Sequence, residues 1–142
     1  MSQLVAHLAH KYGYNSFRPN QEAIVSALLE GHDVLAILPT GAGKSLLYTF
    51  IATYTQSLVL VVSPLVSLMQ DQARKLEDLD IPCVVISSST RLPPQAYIDM
   101  SVVFITPEAV PGRMPLLHKI VENISLFAVD EAHCISQWSG DF

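Results

Sequence analysis

The chain has 142 residues, half of them hydrophobic and 15% charged, with a formal net charge of -5. That length accommodates one core, and the acidic balance leaves no electrostatic footprint for nucleic acid, so such a partner has to be argued from motifs. No apolar run approaches the ~20 residues of a membrane-spanning helix, and the N-terminus lacks the basic-then-apolar pattern of a secretory signal.

In chain order, His7 and His10 come first, at helical spacing. With no further ligand in sight they are expected on a solvated helix face rather than around a metal. Residues 19–30 read as a helix, with Pro19 suited to its first turn and Gly31 to the position just past its end. "VLAIL" at 34–38 then opens a series of short apolar runs that continues with "LVLVV" at 58–62, "CVVI" at 83–86, "VVFI" at 102–105 and "LFAV" at 126–129. These runs are continuous rather than alternating, which predicts strands buried on both faces in a parallel sheet covered by helices.

Helical periodicity fills the gaps between the runs. One helix passes through Leu46, Leu47, Phe50 and Ile51. In 65–79, Val66, Met69, Ala73, Leu76 and Leu79 keep helical spacing while Lys75, Glu77 and Asp78 occupy the other face. The stretch "SSSTRLPPQAY" at 87–97 carries two prolines and predicts a loop or a very short helix. A helix around 115–123 carries Leu116, Leu117, Ile120 and Val121. Strand-helix alternation with short links predicts an α/β three-layer fold. Cys83 and Cys134 match no metal or redox spacing and are expected as buried or partly buried thiols in a reducing compartment.

Two motifs carry chemistry. "ILPTGAGKS" stands where a strand should hand over to a helix. Gly41 and Gly43, flanked by Thr40 and Ala42, let backbone N–H groups approach phosphate oxygens, and the following helix points its N-terminus at the same anion. Lys44 would reach the β- and γ-phosphates of ATP, and the Ser45 hydroxyl would ligate Mg²⁺. The strict phosphate-loop pattern has glycine where this chain has Leu38, but Thr40 and Gly41 can still build the turn. Far downstream, "LFAVDE" sets Asp130 just beyond a buried strand, on the side where α/β sheets bind ligands. Asp130 is the expected Mg²⁺ residue and Glu131 the expected general base. His133 is read either as a surface histidine or as a relay from nucleotide to the rest of a motor, the latter in view of the phosphate loop.

The segments "YGYNSFRPNQ", "LPTGAGKS", "VVSPLVSLMQDQ", "ITPEAV" and "DEAHCISQWSGDF" follow one another from Tyr12 to Phe142. In that order they resemble RecQ-type DNA helicases of superfamily 2, over nearly the whole chain. The resemblance implies an incomplete RecA-like P-loop fold with a mostly parallel sheet, in which the strand after DEAH and the second motor lobe are absent. It divides the chain into an N-terminal helical element with an adenine-recognition motif, residues 1–31, and a partial ATP-binding domain, residues 32–142. Gln21 would read the adenine edge, Tyr14 would stack on the base, with Phe17 more readily core, and Arg18 would support the site. Ser63 and Thr106 would meet the DNA backbone, Trp138 and Phe142 would offer stacking faces to single-stranded DNA, and His133 would couple the two sites.

The activity so implied is ATP-driven 3'-5' translocation and unwinding of DNA, acting on single strands and duplex junctions in repair and recombination. It would occur inside the cell, in the nucleus of a eukaryote or the cytoplasm and nucleoid of a bacterium. The alternatives are a non-enzymatic remnant and an RNA helicase of the same superfamily. The chain departs from the family pattern at Ser139-Gly140, where Gly-His is usual, and is about ten residues shorter between Ile86 and Val102. Weakened DNA coupling and little activity of the chain by itself are the corresponding expectations.

Overall fold

A computed structural model describes residues 3–18, 20–32, 44–64, 66–86, 90 and 92–129. The expected strand at 34–38, Pro19 and everything from Asp130 onward, including Cys134, lie outside the described residues. Helices α1 (Gln3–Tyr12), α2 (Gln21–Leu29) and α3 (Lys44–Thr55) come first. Then follow β1 (Leu58–Val62), α4 (Val66–Asp78), β2 (Cys83–Ile86), α5 (Pro94–Ile98), β3 (Val102–Ile105), α6 (Met114–Ile120) and β4 (Ile124–Val129). Single 3-10 turns cover Pro107–Ala109, Pro111–Arg113 and Val121–Asn123.

The four strands pair in parallel in the order β2-β3-β1-β4. β1 and β3 hold the middle and are buried almost throughout. One face of the sheet presents Val59, Val61, Val102 and Phe104 to a core completed by Leu8, Val25, Phe50, Met69 and Leu76, from α1, α2, α3 and α4. The other presents Leu58, Leu60, Val103 and Ile105 to Tyr97, Leu117 and Ile120 of α5 and α6. Helices on both faces of a parallel sheet are the arrangement its continuous apolar runs require. Tyr97 anchors α5, the short helix that the two prolines allowed, and is fully buried.

Three expectations about the strands and helices change. β4 begins earlier than the apolar run at 126–129, because Leu58 pairs with Ile124 across an irregularity in the ladder. Over 126–129, β4 is covered on one face among the described residues: Leu126 and Ala128 pack on the α3 side, while Phe127 and Val129 are 56% and 45% exposed. Among the described residues it has a neighbour on the β1 side alone. Finally, Val66, Leu79 and Val121 lie outside the core: Val66 is the first residue of α4, and Leu79 and Val121 fall just past the ends of α4 and α6.

The end of α2 follows the sequence closely. Gly31 takes the left-handed conformation, φ +89, that glycine adopts without steric cost. Its N–H donates to the Leu28 carbonyl at 3.1 Å, and the His32 N–H donates to that of Ala27 at 3.0 Å, closing the helix. Cys83 is half-buried, with its Sγ 3.4 Å from the Ala73 carbonyl. Burial, and secondarily Glu77, push its thiol up to about 11, which keeps it protonated and unreactive.

The solvated face expected for both early histidines holds for His10 alone. Leu4 and Leu8 turn the apolar stripe of α1 onto α3 and draw His7 in with it. His7 Nε2 lies 2.9 Å and the Tyr12 hydroxyl 3.0 Å from Thr53 Oγ1. Thr53 Oγ1 also lies 3.2 Å from the carbonyls of Thr49 and Phe50, either of which can accept its single proton. Phe50 and Tyr54 meet the imidazole edge-on at 5.0 and 5.4 Å.

Burial first, then the neighbouring His10 and Lys11, hold the His7 pKa below its ordinary 6.5. The folded state therefore binds this proton less readily than the unfolded chain. Stability rises with pH through the window below 6.5 and is lost as pH falls across it. Between about pH 7.5 and pH 5.5, the melting temperature is expected to fall more steeply for the parent chain than for His7→Gln. Parallel curves for the two would remove His7 as the source of the acid sensitivity.

Candidate nucleotide and nucleic-acid site

Parallel pairing carries the strand ends to one edge of the sheet. β1 delivers Ser63 and β3 delivers Thr106, and the register of Val62 with Ile105 sets them side by side. The Ser63 N–H donates to the Ile105 carbonyl at 3.1 Å. β4 stops at the same level, Val129 pairing with Val62, and Asp130 is the next residue in the chain.

α3 reaches this edge by its length. Its last residue, Thr55, is separated from β1 by Gln56 and Ser57 alone, so the helix ends at the opposite, N-terminal edge. It packs on β1 and β4 as it runs back. Twelve helical residues rise about 18 Å and five strand residues about 17 Å, so Lys44 opens α3 level with the end of β1. The first N–H groups of a helix have no intrahelical partner and carry its positive dipole end, which suits an anion. Thr40, Gly41, Ala42 and Gly43 lie outside the described residues, as do the side chains of Lys44 and Ser45. Asp130, Glu131, His133, Trp138, Gly140 and Phe142 lie outside them as well.

The element preceding the phosphate loop is described. Gln21 opens α2 and is 2% exposed, and its Oε1 accepts the Arg18 backbone N–H at 2.7 Å. That bond fixes which end of the amide faces the chain and holds the side chain against the start of the helix. Arg18 is exposed, and Tyr14 is 56% exposed. Phe17 instead packs edge-on against Phe50 at 5.4 Å and belongs to the core. Ser63 and Thr106 are brought together, but at 1% and 7% exposure neither hydroxyl stands open to solvent. Sequence reasoning placed both on a contact surface; in the fold each is a buried residue immediately after its strand.

The sequence reading passed over two residues that join the motifs. The Tyr48 hydroxyl, one turn after Lys44, donates to Gln72 Oε1 of α4 at 2.8 Å. Its ring, 6% exposed, meets Phe104 of β3 edge-on at 6.5 Å. The available signal was the one-turn spacing from Lys44 and the position of Gln72 at the end of "VVSPLVSLMQDQ". A separate cleft of about 460 Å³, lined by His7, Lys11, Thr53, Ser57, Asp99 and Ser101 among others, lies at the opposite edge of the sheet.

Comparison with known proteins agrees with the arrangement of these motifs. A family model described as DEAD/DEAH box helicase matches residues 18–142. The chain is 36% identical to the RecQ-like DNA helicase blm-1 of Caenorhabditis elegans, covering 99% of this chain and 16% of that protein. It is 38% identical to the ATP-dependent DNA helicase RecQ of Haemophilus influenzae, covering 92% of this chain and 22% of that protein. It is 40% identical to a protein of Acanthamoeba polyphaga mimivirus provisionally named ATP-dependent RNA helicase R290, covering 92% of this chain and 25% of that protein. The chain thus spans a quarter or less of the length of each of these relatives.

Proposed function

This chain belongs to the DEAD/DEAH box helicase family, and on that premise we propose that it forms the nucleotide-binding part of an ATP-dependent 3'-5' DNA helicase of RecQ type. The observation that carries the reading is the convergence, on one sheet edge, of the start of α3 at Lys44 with the ends of β1, β3 and β4. Residues 1–31 would contribute adenine recognition through Gln21, Tyr14 and Arg18, and residues 32–142 the phosphate and metal chemistry. ATP phosphates would lie on Thr40 to Gly43 and against Lys44. Mg²⁺ would be held by Ser45 and Asp130, the hard oxygen ligands this ion prefers, and would neutralise charge developing on the transferred phosphoryl group. Glu131 would accept the proton of the attacking water.

Single-stranded DNA and duplex junctions are the proposed nucleic-acid partners, met by Trp138 and Phe142 through stacking and by the backbone around Ser63 and Thr106. His133 would relay between the two ligands. With Ser63 and Thr106 both covered, DNA would meet the sheet edge they define rather than their open hydroxyls. An RNA substrate is the second reading, favoured by the name of the mimiviral relative. The elements "FRPNQ" and "CISQWSGDF" favour DNA.

The test compares the full-length parent protein with the purified 142-residue chain. The parent is expected to hydrolyse ATP and to unwind a DNA duplex in preference to an RNA one. The chain by itself is expected to bind ATP weakly and turn over almost none, because phosphoryl transfer depends on positioned cationic charge from a second lobe. In this chemistry a trans-acting arginine is worth about 10³- to 10⁵-fold. Robust, DNA-stimulated turnover by the 142-residue chain would refute the division of labour. Preference of the parent for RNA duplexes would refute the DNA assignment.

A further inference from the structure

We propose that Tyr48 and Gln72 form a positioning pair through which nucleotide binding at the start of α3 and DNA binding near the start of α4 influence each other. The inference rests on the helicase reading but concerns residues to which that reading gives no role. Tyr48 follows Lys44 by one helical turn, a rise of about 6 Å, so any shift of the phosphate-binding helix end moves it as well. Its ring cannot turn freely, being buried and set edge-on to Phe104 in the central strand β3. Phe104 in turn precedes Thr106 by two residues on that strand.

From this fixed ring the hydroxyl donates to Gln72 Oε1 at 2.8 Å. Gln72 lies on α4, which begins at Val66, three residues after Ser63, whose N–H donates to the Ile105 carbonyl at the end of β3. α4 is held against the sheet by Met69, Ala73 and Leu76, so it transmits a displacement as a rigid element rather than absorbing it. A tyrosine hydroxyl meeting an amide carbonyl is a directional contact between two packed helices. It is kept in one relative setting of α3 and α4 and lost in another, which is the requirement for coupling two sites.

The experiment uses the full-length parent protein and measures one ratio: the affinity for a non-hydrolysable ATP analogue with a single-stranded oligonucleotide present, over that without it. Tyr48→Phe keeps the ring and removes the hydroxyl, and Gln72→Leu removes the acceptor. Each is expected to shift the ratio toward unity by about two- to tenfold, the range of one neutral hydrogen bond. The double variant is expected to match the single ones, since the pair acts as a unit. By linkage, the effect of the analogue on oligonucleotide affinity must change by the same factor.

A purely structural role would lower the melting temperature and both affinities while leaving the ratio intact, and that result overturns the inference. Should Gln72→Leu fail to fold, Gln72→Asn withdraws the same carbonyl by one methylene and is read in the same way. A wild-type ratio of unity, in a protein that binds DNA and hydrolyses ATP, overturns the inference alone. Absence of DNA binding or ATP hydrolysis in the wild type overturns the helicase reading itself.

Discussion

Lys44→Ala is expected to remove ATP binding from this chain. Lys44 opens α3, the helix whose N-terminus lies level with the ends of β1 and β4. Backbone N–H groups and the helix dipole supply partial charges, each worth a fraction of what a full ammonium contributes beside a triphosphate. A charge-assisted hydrogen bond contributes about 1.5–3 kcal/mol, so its loss weakens binding by about 10- to 100-fold. If the chain binds ATP as weakly as proposed, this loss reaches the limit of calorimetric detection. The fold should persist, because the buried face of α3 runs through Leu47, Phe50 and Ile51, which the substitution leaves in place. Titration with ATP and Mg²⁺ should release heat with the parent chain and none with Lys44→Ala at the same concentrations. Equal heats and equal affinities would show that the nucleotide does not bind at this helix.

Glu131→Gln, made in the full-length parent, should separate binding from chemistry. The substitution keeps size and shape and removes only the proton acceptor. Hydrolysis is expected to fall by about 10²- to 10⁴-fold, the usual contribution of a positioned general base. Affinity for ATP should change little, because on the proposed reading Asp130 and Ser45 would still hold Mg²⁺ and Lys44 would still hold phosphate. The variant should therefore accumulate as an ATP-bound complex, visible as retained nucleotide after rapid gel filtration. If hydrolysis continued at the wild-type rate, Glu131 would not be the base. If ATP binding vanished with it, the residue would belong to the metal site instead.

Much of the molecule was legible before any coordinates. The runs at 58–62, 83–86 and 102–105 became strands with the bounds read from sequence, because strands buried on both faces need uninterrupted apolar residues and tolerate few others. Gly31 marked the end of α2 because its left-handed backbone there favours a residue without a side chain. The phosphate loop and the Asp-Glu pair were read from residue type and short spacing, and both lie outside the described residues. Such features are local, and a local feature constrains only its own few residues.

What the tertiary structure decided is of the other kind. Whether His7 faced water depended on Phe50, Thr53 and Tyr54, which lie more than forty residues away and come near only when α1 docks on α3. The apolar runs could not say that β4 would be covered on one face, because coverage is set by where α5 and α6 settle over β2, β3 and β1. Ser63 and Thr106 read as polar contacts and proved to be buried neighbours, brought together by the register of two parallel strands. The bond from Tyr48 to Gln72 likewise exists only once two helices lie on the same face of the sheet. Sequence determined which segments could bury themselves and which residues could do chemistry. Strand order and register determined which of them meet, because those are free energies of long-range packing that no single segment carries.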